Sequence, residues 1–225
     1  MAAKMDKHEL NEPDKLQLFF LRIRAFAEKH RARIYAGGGI FILLALLAGG
    51  WYLYRVNYQA SAGKRYNQIA EAATIAASPA GDTATIKGYQ DLISRYPRSL
   101  AAVTSYYRLG NLYLDRHEYD SAINAYQDFL RITSAESDLM PLAYSGLGAC
   151  QEAKNDLNKA LESYEMAMKT RAASSFETLN YSNIARIYEA KKDSAKAAGF
   201  YRKALDKTTD PLMTLYLKRK LAILG

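Results

Sequence analysis

Residues 106–130, 144–168 and 181–205 are one pattern written three times: YYRLGNLYLDRHEYDSAINAYQDFL, YSGLGACQEAKNDLNKALESYEMAM and YSNIARIYEAKKDSAKAAGFYRKAL. Leu109-Gly110 becomes Leu147-Gly148 and then Ile184-Ala185, while Ala122 with Tyr126 becomes Ala160 with Tyr164 and then Ala197 with Tyr201. The steps are 38 and 37 residues. A fixed self-similarity of this length belongs to stacked helical or strand units that cannot bury their apolar faces singly, so the chain is committed to an array.

The aromatic, Leu-Gly, aromatic, then Ala and aromatic order of Tyr106, Leu109, Gly110, Tyr113, Ala122 and Tyr126 resembles the tetratricopeptide repeat. That resemblance implies two antiparallel helices per unit. Their close crossing predicts that Gly110, Gly148 and Ala185 are small so as to admit Ala122, Ala160 and Ala197. Tyr106, Tyr113, Tyr126, Tyr144, Tyr164, Tyr181, Tyr188 and Tyr201 are expected to pack the interior. An earlier, degenerate copy is read over residues 62–97: Ile69, Ala72, Ala73 and Ala76 recur at helical spacing, Asp82 is placed as the N-cap of a second helix, and Tyr89 matches Tyr126. Tyr96-Pro97 stops that unit, since proline disfavours helix in the residue before it. Asp210 and Pro211 open a last helix, read as a cap with Leu212, Leu215, Tyr216, Leu221 and Leu224 on its apolar side and a polar outer face.

The expected fold is therefore all-α: one transmembrane helix followed by a tetratricopeptide-repeat solenoid of four helix pairs plus a C-terminal capping helix. The domains are read as a leader over 1–34, a span over 35–54 and an array over 55–225. Within the array the full repeats cover about 101–134, 139–172 and 176–209, and the cap 211–224.

Residues 35–54, YAGGGIFILLALLAGGWYLY, contain no charge and would span about 30 Å as a helix, the thickness of a hydrocarbon core. Tyr35 at one edge and Trp51, Tyr52 and Tyr54 at the other suit the headgroup level. Ala60-Ser61-Ala62 offers a signal-cleavage pattern, but the leader and the apolar run are both too long for one, so an uncleaved anchor is expected. Arg22, Arg24, Lys29, Arg31 and Arg33 precede the span and Arg55, Lys64 and Arg65 follow it, which predicts a cytoplasmic N-terminus and a periplasmic array at an inner membrane. With Gly63 as the lone weak breaker after Tyr54, one helix is expected from about residue 40 to about residue 76. In the leader, Leu16, Phe19, Phe20, Ile23, Phe26 and Ala27 form a stripe beside basic residues, fit for a lipid surface or a partner groove.

Of the net charge of +8, residues 1–34 hold +3 and the rest +5, and the basic residues after the anchor are interspersed with acids, so nucleic acid is not an expected partner. His8, His30 and His117 are isolated, and one cysteine, Cys150, allows no internal disulfide. No metal, no cofactor and no catalytic residues are expected, and the chain does not read as an enzyme. What remains is the concave face that the first helices of stacked pairs share. By register its partner-binding residues are Thr104, Tyr107, Arg108, Asn111, Ser145, Ala149, Glu152, Ser182, Asn183, Arg186 and Glu189. The face resembles a carboxylate clamp at Asn111 alone, so an extended or unfolded polypeptide is the expected ligand.

The leader with Phe19-Phe20, the Gly-rich span ending Gly50-Trp51-Tyr52, the array, and the tail from Asp210-Pro211 to Leu221 and Gly225 are together similar to the YfgM-like ancillary subunits of the SecYEG translocon. That resemblance implies partnership with SecYEG and a PpiD-type periplasmic chaperone, and help in receiving translocated proteins. The alternative is a structural adaptor that organises a cell-wall or outer-membrane assembly machine.

Overall fold

The computed structural model describes residues 15–75 and 79–224, and every regular element among them is helical. The chain divides into two units, Met1–Asn57 and Tyr58–Gly225. In the first, α1 covers Lys15–Lys29, and after a turn at His30 α2 begins its run over Arg31–Ile75. Three consecutive glycines do not interrupt α2, because no proline removes a backbone donor and the Leu, Ile and Ala around them favour helix. Every residue from 35 to 54 is exposed. It is long and apolar enough to cross a membrane. The leader stripe is likewise uncovered from Leu16 to Phe26. His8 lies outside the described residues.

The second unit takes the end of α2 and stacks onto it α3 (Pro79–Arg95), α4 (Leu100–Asp115), α5 (Tyr119–Ile132), α6 (Met140–Ala153), α7 (Leu157–Met168), α8 (Glu177–Ala190), α9 (Ser194–Lys207) and α10 (Pro211–Leu224). A 3-10 turn at Ala173–Phe176 leads into α8. From α3 onward each helix packs mainly on its chain neighbours, giving the pairs α4/α5, α6/α7 and α8/α9, then α10, and the end of α2 meets α3 where Ile69 packs with Ile86 and Tyr89. The turn inside each of the last three pairs has the same device. His117, Asn155 and Lys192 stand at φ of 60°, 61° and 60°, a left-handed residue that closes the first helix. In the last two pairs the very next residue caps the second helix: Asp156 and Asp193 accept from the backbone N–H of Lys159 and Lys196, at 3.3 and 3.1 Å. Asp210 does the same for α10, accepting from Leu212 N–H at 2.8 Å.

Four apolar clusters run along the stack, and all of them lie within Tyr58–Gly225, so this unit carries its own cores. Tyr126, Tyr164 and Tyr201 on the second helices are fully buried, whereas Tyr106, Tyr113, Tyr144, Tyr181 and Tyr188 on the first helices are half-buried. Ala122, Ala160 and Ala197 are completely enclosed.

Three sequence-based expectations need correction. The glycines do not make room for those alanines. A Cβ on Gly110 would stand 2.6 Å from the Tyr126 ring, and one on Gly148 2.7 Å from the Tyr164 ring. The tyrosine follows the alanine by four residues and so shares its helix face, and its flat ring is what reaches across to the first helix. Asp82 is not an N-cap: α3 already starts at Pro79, and Asp82 falls in its first turn, where a carboxylate meets the positive end of the helix. Ala76 lies outside the described residues. Finally, α10 does not show a polar outer face. Leu217, off the expected stripe, is its fully buried residue, while Leu212 and Leu215 are exposed. The stripe drawn through Leu212 and Leu215 is one hundred degrees or more out of phase with Met213, Leu217, Leu221 and Leu224, the side chains that do pack on α9.

Candidate functional site

The sequence-predicted face draws on α4, α6 and α8, and the structure sorts its residues into three kinds. Some sustain their own helix or a neighbour. Ser145 Oγ donates to Pro141 O at 2.7 Å or to Asn180 Oδ1 at 2.6 Å, Ser182 Oγ donates to Thr178 O at 2.7 Å, and Asn183 Oδ1 accepts from Arg186 Nη1 at 3.1 Å. All three side chains are buried, so they support the surface and do not present it. Thr104, half-buried, turns back to Leu100 O.

A second kind presents an aromatic or small surface. Tyr107 is half-buried, its ring 6.2 Å from that of Tyr126 and 5.7 Å from Phe129. Ala149 is half-buried between them and Glu152 in chain order.

The third kind is polar and held in place by tyrosines, from the second helices at Asn111, Glu152 and Glu189 and from α2 at Arg108. Tyr126 Oη donates to Asn111 Oδ1 at 2.6 Å. Tyr164 Oη donates to Glu152 Oε2 at 3.0 Å, and Arg186 grips the same carboxylate with Nε to Oε1 at 2.6 Å and Nη2 to Oε2 at 2.7 Å. Glu189 accepts from Tyr201 Oη at 2.8 Å and from Lys220 Nζ at 2.9 Å. Arg108 is exposed and donates from Nε to Tyr66 Oη at 3.1 Å. A cleft of about 400 Å³ between α2, α3 and α4 brings Arg108 and Asn111 together with Tyr89 and Asp115.

The electrostatics of this arrangement are those of a fixed scaffold. Hydrogen bonding to Glu152 raises the Arg186 pKa against the opposing effect of burial. Burial raises the pKa of Tyr126, Tyr164 and Tyr201, and pushes Tyr89 up to about 12, so these hydroxyls remain donors at neutral pH. At Glu189 burial works upward, but the bonds from Lys220 and Tyr201 bring its pKa below the ordinary glutamate value. Burial lifts the Cys150 thiol to about 11, which leaves it protonated and unreactive. Among the described residues no three His, Cys, Asp or Glu side chains stand together as a metal site.

Sequence reasoning missed Tyr66, Tyr89, Asp115 and Lys220. Tyr66 and Tyr89 belong to the degenerate pair, where Tyr89 is legible only as the counterpart of Tyr126. Lys220 lies 31 residues from Glu189, outside the 37-to-38-residue step, so no comparison between repeats reaches it.

Models of the tetratricopeptide repeat match residues 107–175 and 181–212. These segments are tetratricopeptide repeats. No curated protein matches the chain in sequence. Among solved structures, a crystal structure of MamA superposes with a TM-score of 0.54 at 17% identity, covering 64% of this chain and 77% of that one. Another, of MamA protein, gives 0.57 at 16%, with 72% and 81% covered. MamA 41-end from Desulfovibrio magneticus RS-1 gives 0.54 at 16%, with 65% and 75% covered. Identity at this level speaks for the fold alone, and the buried Tyr126, Tyr164 and Tyr201 show how this chain builds it.

Proposed function

We propose that the protein is a membrane-anchored tetratricopeptide module that receives extended polypeptide on the periplasmic side of an inner membrane, beside SecYEG and together with a PpiD-type chaperone. The observation that carries the membrane half of this reading is the uncharged run from Tyr35 to Tyr54, every residue of which is exposed. Twenty such residues exposed to water would be costly, and a bilayer is the solvent they fit. The basic residues from Arg22 to Arg33 support a cytoplasmic leader.

The receiving surface is the exposed part of the first-helix face: Tyr107, Arg108, Asn111, Ala149, Glu152, Arg186 and Glu189. Its polar side chains are already locked by Tyr126, Tyr164 and Tyr201, so little rotamer entropy is lost when a ligand arrives. Arg108 offers an exposed guanidinium to backbone carbonyls, and Tyr107 supplies an apolar ring with a polar tip. Such a surface holds main chain and reads side chains weakly, which suits a receiver of many sequences.

Two measurements test the reading. Protease added to spheroplasts is expected to digest residues 58–225, and full protection would reverse the topology. Affinity purification with the anchor intact is expected to recover SecY. Recovery of cell-wall or outer-membrane assembly proteins in its place would favour the structural adaptor.

A further inference from the structure

We infer that the outer face of α10 is a docking surface for an anionic lipid bilayer, with Leu212, Leu215 and Ile223 entering the acyl boundary and Lys218 and Arg219 meeting headgroup phosphates. The inference stands apart from the translocon reading and from the span. Helices α4, α6 and α8 are covered by second helices on both sides, whereas α10 is packed on the α9 side alone among the described residues. Met213, Leu217, Leu221 and Leu224 make that contact. The opposite face is nevertheless apolar: Leu212 is 78% exposed, Leu215 67%, Ile223 68% and Tyr216 41%. A helix apolar on both faces and covered on one has a second apolar environment to find.

Charge selects that environment. Residues 35–193 carry sixteen basic and sixteen acidic side chains, whereas residues 194–225 carry seven basic and two acidic, so the whole surplus of the array lies on α9 and α10. Lys220 is engaged by Glu189, but Lys218 and Arg219 are exposed and make no ion pair among the described residues. A second copy is disfavoured by charge. Pairing α10 with its own copy would bring Lys218 and Arg219 onto like charges. At a bilayer surface Arg219, in the middle of the apolar face, can extend its guanidinium to the phosphates while its stem stays among the acyl chains. A protein groove would have to place a carboxylate opposite it. Apolar insertion and attraction of Lys and Arg to anionic headgroups are the two terms that hold an in-plane helix.

The test uses residues 58–225, the unit that carries its own cores, in sedimentation with phosphatidylcholine vesicles that contain or lack phosphatidylglycerol. The expected result is partitioning onto the anionic vesicles only, falling at least about tenfold in the Lys218→Gln/Arg219→Gln variant, since each basic residue near an anionic surface contributes to binding. Leu212→Ser/Leu215→Ser/Ile223→Ser is expected to lose partitioning to a similar extent. These side chains are exposed, so circular dichroism should report unchanged helicity and melting for both variants. The inference is overturned if the native protein stays in the supernatant, or if either folded variant partitions as the native protein does. It is also overturned if the triple variant abolishes a concentration-dependent self-association seen without vesicles, which would identify a second copy as the occupant, or if the surface takes an acidic helical peptide and ignores the anionic vesicles.

Discussion

Gly110, Gly146 and Gly148 each stand where a single methyl group would collide with a buried tyrosine ring. Gly146 is the tightest, its Cβ falling 2.4 Å from Cζ of Tyr126, so this ring is clasped between α4 and α6 of consecutive repeats. The ring cannot yield, because Tyr126 is fully buried and its hydroxyl is tied to Asn111. Gly110→Ala or Gly146→Ala is therefore expected to overpack the crossing and destabilise Tyr58–Gly225 by about 1 to 3 kcal/mol. Gly199 is the internal control: it sits within α9 with no atom near its would-be Cβ. Gly199→Ala is expected to stabilise by about 0.5 to 1 kcal/mol, since alanine loses less backbone freedom in a helix. Thermal melts of the three variants decide the matter, and equal shifts in one direction would show that the rings are not held as described.

At the scale of the element, the turns within the last two pairs carry an electrostatic signature. Hydrogen bonding from the Lys159 side chain, with its backbone N–H, holds the Asp156 carboxyl below its ordinary pKa. The backbone N–H of Lys196, with its side chain, does the same at Asp193. A carboxyl whose pKa is lower folded than unfolded adds stability above the unfolded value, about 3.9 for aspartate, and loses it as pH falls through the folded value. Melting temperature is therefore expected to hold steady from neutral pH to about 5 and to fall below about 4, with a shallower fall in Asp193→Asn, whose amide caps without titrating. Identical slopes for the variant and the native protein would exclude the cap as a source. These helices were legible in the sequence because apolar period, caps and the 37-to-38-residue step all agree on where Tyr126, Tyr164 and Tyr201 lie. The face each side chain turns to its neighbours was less legible. Register places Ser145, Ser182 and Asn183 on the first helix, but only packing shows that they are covered. In α10 the leucines occur on all sides, so periodicity alone could not choose Leu217 over Leu215 as the buried one.

At the scale of the whole molecule, the four cores are not one. The clusters around Tyr89 and Tyr126 share α4 and α5, and those around Tyr164 and Tyr201 share α8 and Phe200, while the clusters of Tyr126 and Tyr164 share no residue. The two halves meet across α6 and α7. There Tyr164 packs on Gly148, Ser163 Oγ donates to Gln151 Oε1 at 2.6 Å, and Glu152 ties Tyr164 to Arg186. In a linear array, stability is a sum of unit and interface terms, and the unfolding is cooperative only while each interface outweighs the difference between the parts it joins. Replacing both Glu152 and Arg186 by alanine weakens this one interface without leaving a buried charge unpaired. Because both side chains are partly exposed, the expected cost is at the low end for charged hydrogen bonds, about 1 to 2 kcal/mol. The native Tyr58–Gly225 unit is expected to melt in one calorimetric transition, and the double variant in two, with amide exchange in α8–α10 decoupled from that in α3–α5. A single transition at a lower temperature would mean that the Gly148–Tyr164 packing alone couples the halves, and that the polar ties along the first helices are free to serve a ligand.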